Sequence, residues 1–466
     1  MQYTPSTSKL TGALLRELVV VCVLCCLVSV PLFYDSGSAR IESDETRWIH
    51  DSKFFKLLFI DRDFTSPLWQ SYYSYDQPPV GKYIIGLALL CTGSKRLKHE
   101  AWELLQPWTW KKSYAWNMRN GALPSEALLL TARYAMVFFG ILTCLTLYAL
   151  GRLLFGTVAG FAAAVLFAFH PLSLRCIPRA MVDPPLLFAM TLAALLTALF
   201  YRAVLKQRRR QAFSLAAAIG ITIGLGAGIK MNCGLSAVIF ACFCLAVISA
   251  AVLRGWSRRR SSAAAGPTAR PMIRAVAISL LICAVAAALA FELPNPFLWD
   301  KPVGGVVRLF QFRMETVKIQ QEVLGPALVS LQDKTFIVFA GSFLSGLRHR
   351  YRHILHLLMI GLFAAGLLRL CWSEAAHLLR HKRPSYAMVI LTWALGTLAG
   401  IIVWIPLPWH RYILPVVPCI ALLSGYGLQQ IILLLRACAP GGAQHTGPDR
   451  QHFFQPAQCM SADSPD

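Results

Sequence analysis

Apolar runs about as long as a membrane is thick recur along most of this chain, and they limit its fold more than any other feature. A spanning helix takes about 20 predominantly apolar residues. Runs at 18–34, 127–150, 153–172, 180–203, 211–229, 232–253, 272–292, 353–371, 385–405 and 411–436 reach or approach that length. The chain is 56% hydrophobic and 14% charged, where soluble domains are roughly half apolar and a quarter charged. So much apolar surface could not be buried in water alone, and the chain reads as an all-α polytopic membrane protein. Residues 18–34 lack a small-residue cleavage site and read as a retained anchor rather than a removed signal peptide.

The net charge of +23 raises nucleic-acid binding as one reading. The cations argue against it, because most sit in short loops between apolar runs, the positive-inside pattern. With the N-terminus inside, ten spans place the turns around Arg202–Arg210, Arg254–Arg274 and Arg380–Arg383 on the cytoplasmic face. The same parity keeps the apolar segments 79–93 and 335–347 from crossing, and both are expected at the outer interface. Segments 35–126, 171–180, 293–352 and 406–411 then converge outside. Segment 293–352 is basic, against the charge rule, which long loops obey poorly. Residues 1–436 read as one membrane-embedded domain, and 437–466 as a disordered cytoplasmic tail.

Cysteines such as Cys22, Cys25, Cys26, Cys233, Cys242 and Cys244 lie within apolar runs and read as small core residues. His50, His99 and His170 show no metal-ligand spacing, so no metal is expected. The glycines from Gly220 to Gly228 read as close helix packing, and no glycine-rich nucleotide loop is present.

Residues 35–126 hold 11 of the chain's 22 acidic residues. Asp44 and Glu45 open an amphipathic stretch after the first span. Ser43 or Asp44 is a candidate helix N-cap. The chemical alternative is that Asp44, with Arg47 at i+3 on the same face, stays ionised and takes a proton as a general base. Asp76-Gln77-Pro78-Pro79 reads as an extended turn, with Pro79 starting a helix that carries Lys82. A helix start with a lysine suits phosphate, while a snorkelling lysine is the plainer alternative. Arg133 sits about two turns into an apolar run, a depth at which charge is a functional hypothesis unless it snorkels. Asp183 reads as a cap or an arginine partner, Lys230 as an interfacial anchor or substrate contact, and Arg411 as a phosphate ligand or belt anchor.

Asp44-Glu45, Asp76-Gln77-Pro78-Pro79-Val80-Gly81-Lys82, Arg133, Lys230-Met231-Asn232-Cys233-Gly234-Leu235, Pro294-Asn295-Pro296 and Arg411-Tyr412-Ile413-Leu414-Pro415 occur in an order and spacing that resembles the C-type glycosyltransferases. These include the protein O-mannosyltransferases, their bacterial relatives and the lipid A aminoarabinose transferases. The resemblance covers most of residues 13–436. It implies about ten transmembrane helices with interfacial helices in the first outer loop. It also implies inverting transfer of a sugar from a polyprenyl- or dolichyl-phosphate carrier to a protein or lipid acceptor. Asp44 matches the family's base, with Glu45 and Asp76 as further catalytic candidates. Arg133 matches an arginine early in the family's second span, and Arg47, Lys82, Arg133 and Arg411 are the candidates for the donor phosphate. No cofactor is implied, since the lipid-phosphate sugar is itself the donor. Gln77 stands where the mannosyltransferases carry His and the aminoarabinose enzymes Lys, and 293–352 is too short for the β-trefoil insert of eukaryotic members. The expected location is the bacterial inner membrane, or the endoplasmic reticulum membrane in a eukaryote. A flippase for lipid-linked sugars and a catalytically silent partner subunit are the rival readings. A flippase calls for mid-membrane charges and two-half symmetry, and neither is visible.

Overall fold

The computed structural model describes residues 7–260, 270–323, 325, 327–344, 352–381 and 383–438. Among them every regular element is helical. The principal helices are α1 (Thr7–Ser38), α2 (Ser43–Asp51), α3 (Val80–Cys91), α4 (Glu126–Leu154), α5 (Thr157–Ala168), α6 (Pro171–Cys176), α7 (Asp183–Leu205), α8 (Arg209–Ile229), α9 (Gly234–Arg260), α10 (Arg270–Glu292), α11 (Pro302–Val323), α12 (Leu331–Leu344), α13 (Arg352–His381), α14 (Ala387–Trp404) and α15 (Val417–Cys438). Among the described residues, nine helical segments of 18–29 residues are long and apolar enough to cross a membrane. The protein is an integral multi-pass membrane protein.

Side-chain bonds between distant helix ends fix the direction of each pass. Arg133, near the start of α4, donates to the carbonyls of Ser36 and Ala39 at the end of α1. The Ala180 amide, beyond α6, donates to Glu45. Lys230, after α8, reaches Asp183 at the start of α7, and the Tyr83 hydroxyl on α3 donates to Pro294 beyond α10. All these termini therefore lie at one end of the bundle. At the other end Tyr148 and Arg152, late in α4, meet Glu17, and Tyr201, late in α7, donates to Pro384 between α13 and α14. The described basic residues that flank the turns after α7, α9 and α13 fall at this second end, as the charge pattern requires.

The expected span 153–172 is corrected. α5 is only 12 residues, about 18 Å at 1.5 Å per residue, short of the ~30 Å hydrocarbon core. Pro171 ends it, because the residue before proline is driven to extended geometry; His170 has ψ 133. α5 and α6 together still carry the chain from one end to the other, giving ten passes among the described residues. α12 does not cross. Lys334 near its start donates to Val403, and Gly341 near its end lies against Ile413, both at the first end. α3 is likewise too short to cross and stays at that end. The even glycines of α8 do serve packing: a Cβ on Gly220 or Gly224 would lie 2.3 Å from the carbonyl oxygen of Cys283 or Ala287 on α10. The last helix runs on to Cys438, and the tail expected to be disordered lies from 439 outside the described residues.

Two apolar clusters fasten the first loop to the spans. Ile49, Ile85, Leu89, Ala101 and Leu105 are buried with Leu128 and Ala132 of α4. Phe54, Trp69, Tyr75 and Tyr83 are buried with Phe297, Leu298 and Leu309 of α11 and the turn before it. Fully burying a Leu, Ile or Phe side chain contributes roughly 1.5–3 kcal/mol, so the loop's polar side chains stand on a rigid base.

Candidate active site

The N-cap of α2 is Glu42, not Ser43 or Asp44. Its amide donates to the Glu45 carboxylate at 2.9 Å. Asp44 is thereby released from a capping role, and its carboxylate accepts from Arg411. That ion pair joins the first helix after the first span to the turn before the last span. Arg411 lies over the Trp409 ring at 4.6 Å from the centroid. Trp409 and Tyr412 stack with centroids 5.5 Å apart and planes 4° apart.

From there the charges run as a connected series. The Tyr412 hydroxyl is 3.4 Å from Arg313 Nη2, and Arg313 Nη1 is 3.5 Å from Asp76 Oδ1. Asp76 Oδ2 is 3.4 Å from Arg47 Nη2, and Arg47 Nε is 3.6 Å from Asp51 Oδ2. Arg47 thus turns toward Asp51, one helical turn on, and not toward Asp44. It also donates to the Tyr72 hydroxyl at 3.2 Å and lies 4.5 Å above that ring. Burial pulls its guanidinium down, but Asp76 and Asp51 outweigh burial and hold it above the usual arginine value.

Three sequence expectations change here. Glu45 is fully buried and accepts two bonds of 2.8 Å from Arg133 Nε and Nη2, and others from the amides of Glu42 and Ala180. It acts as a clamp across α1, α2, α4 and the turn before α7, with its side chain 0% exposed. Arg133 is 1% exposed and spends its nitrogens on Glu45, Ser36 and Ala39, so it presents nothing to a phosphate. Lys82 is also 1% exposed. Its ammonium donates to the carbonyls of Tyr73 and Gln77 and lies 3.7 Å from Asp51. Burial depresses it to about 8, against the pull of Asp51. Burial raises the Asp51 carboxyl, but Lys82, His50 and Arg47 more than reverse this and leave it below the usual carboxylate value.

Lys82 does sit where the motif puts it. Gln77 is extended, with φ −144 and ψ 136, as the following proline requires, and Pro79 caps α3. Gly81 lets the helix approach α7: a Cβ there would lie 2.4 Å from Val182 Cγ1. Asp183 and Lys230 form a buried pair at 2.8 Å, and the Lys230 ammonium lies 5.6 Å from the Tyr412 ring centroid.

The charges that keep partial access are few. The Asp44 and Arg411 side chains are 22% and 24% exposed, and Asp76, Arg47 and Arg313 are 17%, 12% and 12% exposed. Sequence reasoning left Asp51, His50 and Tyr412 out of the site. Only the i+4 spacing from Arg47 could have pointed to Asp51. Arg313 carried no local signal beyond its charge. Among the described residues, no group of three or more His, Cys, Asp and Glu side chains is placed to hold a metal ion.

The family model for dolichyl-phosphate-mannose-protein mannosyltransferases matches residues 68–295. This stretch, just under half the chain, includes Asp76, Lys82 and Arg133 but neither Asp44 nor Arg411. No curated protein matches the chain. Among solved structures, the archaeal oligosaccharyltransferase AglB from Archaeoglobus fulgidus, in complex with an inhibitory peptide and a dolichol-phosphate, superposes with a TM-score of 0.53 at 17% identity. The match covers 90% of this chain and 51% of that one. ArnT from Cupriavidus metallidurans bound to undecaprenyl phosphate gives 0.51 at 15% identity, covering 89% and 60%. The chain thus spans about half to three fifths of the length of these neighbours. It has the C-type glycosyltransferase fold that they share, as its motifs suggested.

Proposed function

We propose that this chain transfers a sugar from a polyprenyl- or dolichyl-phosphate carrier to a hydroxyl or phosphate acceptor on a protein or lipid, at the outer membrane face, with inversion. The observation that carries the proposal is the Asp44–Arg411 pair. It brings a carboxylate and a guanidinium from opposite ends of the sequence together where both stay 22–24% exposed. The match to the mannosyltransferase model and the lipid phosphates bound by the two neighbours support the donor class.

In this reading the acceptor oxygen attacks the anomeric carbon as its proton passes to Asp44. The bond from that carbon to the phosphate oxygen breaks, and the lipid phosphate departs with the electron pair. Asp44, held in place by Arg411, is the group that accepts the proton. Each guanidinium has five N–H donors, and Arg411 and Arg313 hold the growing charge on the phosphate with those that Asp44, Asp76 and Tyr412 leave unused. Asp76 orients Arg313 and Arg47. Glu45 and Arg133 hold the frame, and Lys82 supports the turn that carries Asp76.

The test is transfer by Asp44→Asn, which preserves shape and removes basicity. Loss of about 10²–10⁴ in rate is the expected result for a general base, with lipid-phosphate binding retained. Mass spectrometry of lipid-linked sugars from cells with and without the protein names the donor, which should accumulate in its absence. Wild-type turnover by the Asn variant would refute the assignment. Carrier translocation without any transfer would favour the flippase.

A further inference from the structure

The loop between residues 105 and 122 plays no part in the proposed transfer, yet it is well built. The Gln106 amide donates to the Gly121 carbonyl at 3.0 Å and closes its base. Asn117, fully buried, accepts from the Thr109 amide at 2.8 Å and donates to the carbonyls of Thr109 and Ser113. On this frame Trp110, Lys111, Lys112, Tyr114, Met118 and Arg119 are all exposed. Exposing that much aromatic surface costs free energy in water, and among the described residues no carboxylate lies within ion-pair distance of Lys111, Lys112 or Arg119. The nearby acids are already engaged: Glu100 accepts from the Ser125 amide and hydroxyl, and Glu103 pairs with Lys56.

The depth of the loop says what covers it. Leu105 is buried in one cluster with Leu128 and Ala132 of the first two turns of α4, and Ser125 caps that helix. The loop therefore projects from the level at which a membrane-spanning helix begins, where headgroups lie. Tryptophan and tyrosine are favoured at that depth, and basic side chains there are drawn to anionic lipid. The exposed Leu87 and Leu90 of α3, on a helix buried against the same turns of α4, extend the apolar surface. We propose that residues 107–119 form a docking surface for anionic phospholipid headgroups in the leaflet on the active-site side.

The test uses the full chain in nanodiscs of phosphatidylcholine alone or mixed with phosphatidylglycerol. Hydrogen exchange of the amides of 107–119 is expected to slow in the mixed discs, with about fivefold tighter headgroup engagement for each basic side chain involved. The triple variant Lys111→Ser, Lys112→Ser, Arg119→Ser should cancel the difference while exchange in α3 stays unchanged. Should that variant fail to fold, Trp110→Phe supplies the second reading: brominated lipid should quench less of the remaining tryptophan fluorescence than in the wild type. Equal exchange in both discs would overturn the proposal. So would protection that arises only when an acceptor protein is added to phosphatidylcholine discs, which would make the loop a protein-docking surface.

Discussion

Arg133→Ala separates a structural clamp from a substrate ligand. In the wild type, Arg133 makes two bonds of 2.8 Å to Glu45 and bonds of 2.7 and 2.9 Å to the carbonyls of Ser36 and Ala39. Removing the guanidinium leaves a buried carboxylate with the amides of Glu42 and Ala180 and with Arg179 at 3.5 Å. Breaking one side of a buried ion pair costs about 3–5 kcal/mol. Two orphaned carbonyls would add about 1–3 kcal/mol each if water could not reach them, but the vacated volume admits water. A net loss of about 3–5 kcal/mol is therefore expected. Denaturant unfolding in detergent micelles, followed by intrinsic fluorescence, measures it. Arg133→Lys should recover only part, since one ammonium cannot span both carboxylate oxygens and two carbonyls. The double variant Glu45→Ala, Arg133→Ala should lose less than the sum of the single changes, because neither leaves the other's charge stranded. Undecaprenyl phosphate binding by whatever fraction stays folded should match wild type. An Arg133→Ala protein of normal stability that had lost lipid-phosphate binding would refute this reasoning and return Arg133 to the donor site.

Two further outcomes follow from the same loop. Lys82 has a folded pKa of about 8 against an ordinary 10.5, so between those values the unfolded chain holds more protons than the folded one. Stability should therefore rise with pH through that window, with the cost fully present below it, and Lys82→Met should flatten the rise in denaturant midpoints. Cysteine labels at residues 60 and 320 should react from one side of the membrane and labels at 208 and 258 from the other, in a background with the exposed native cysteines replaced. Labelling of all four from one side would break the ten-pass path.

The sequence made the spans and basic turns legible because bilayer thickness and loop charge act on composition, which needs no tertiary context. The α5–α6 pass was misread because apolarity continues through His170-Pro171 while the backbone does not. In the site, the sequence offered Asp44 as the base and Glu45 beside it as a further catalytic candidate, with no local signal for which would be sealed. Neighbours on a helix point about 100° apart, so one met Arg411 and the other Arg133. That division depends on where α4 and the last span lie, which no local pattern encodes. Lys82 reads in the sequence as a phosphate ligand or a snorkelling lysine, because it follows a Pro-Pro turn at the start of a short helix. The cluster around Phe54 and Trp48 instead closes over it.

The pairs at this end of the bundle fall into two groups, and energetics separates them. Glu45–Arg133, Asp183–Lys230 and Asp51–Lys82 are almost wholly buried. Desolvation consumes much of their attraction, and their value to the protein is that a broken partner is costly, which fixes the geometry of the chain segments they join. Asp44–Arg411 and the series through Asp76 keep partial contact with solvent. Their side chains are 12–24% exposed, between the sealed pairs and surface pairs, whose stabilisation is only about 0–1 kcal/mol. Stability alone does not explain why three distant segments bring guanidinium groups with unused donors and two carboxylates to one partly open place. Chemistry explains it better. A lipid phosphate needs cations that have not spent all their donors, and an acceptor hydroxyl needs a carboxylate that is neither a cap nor sealed. Of the acidic residues in the first loop's opening helix, only Asp44 meets both of the latter conditions.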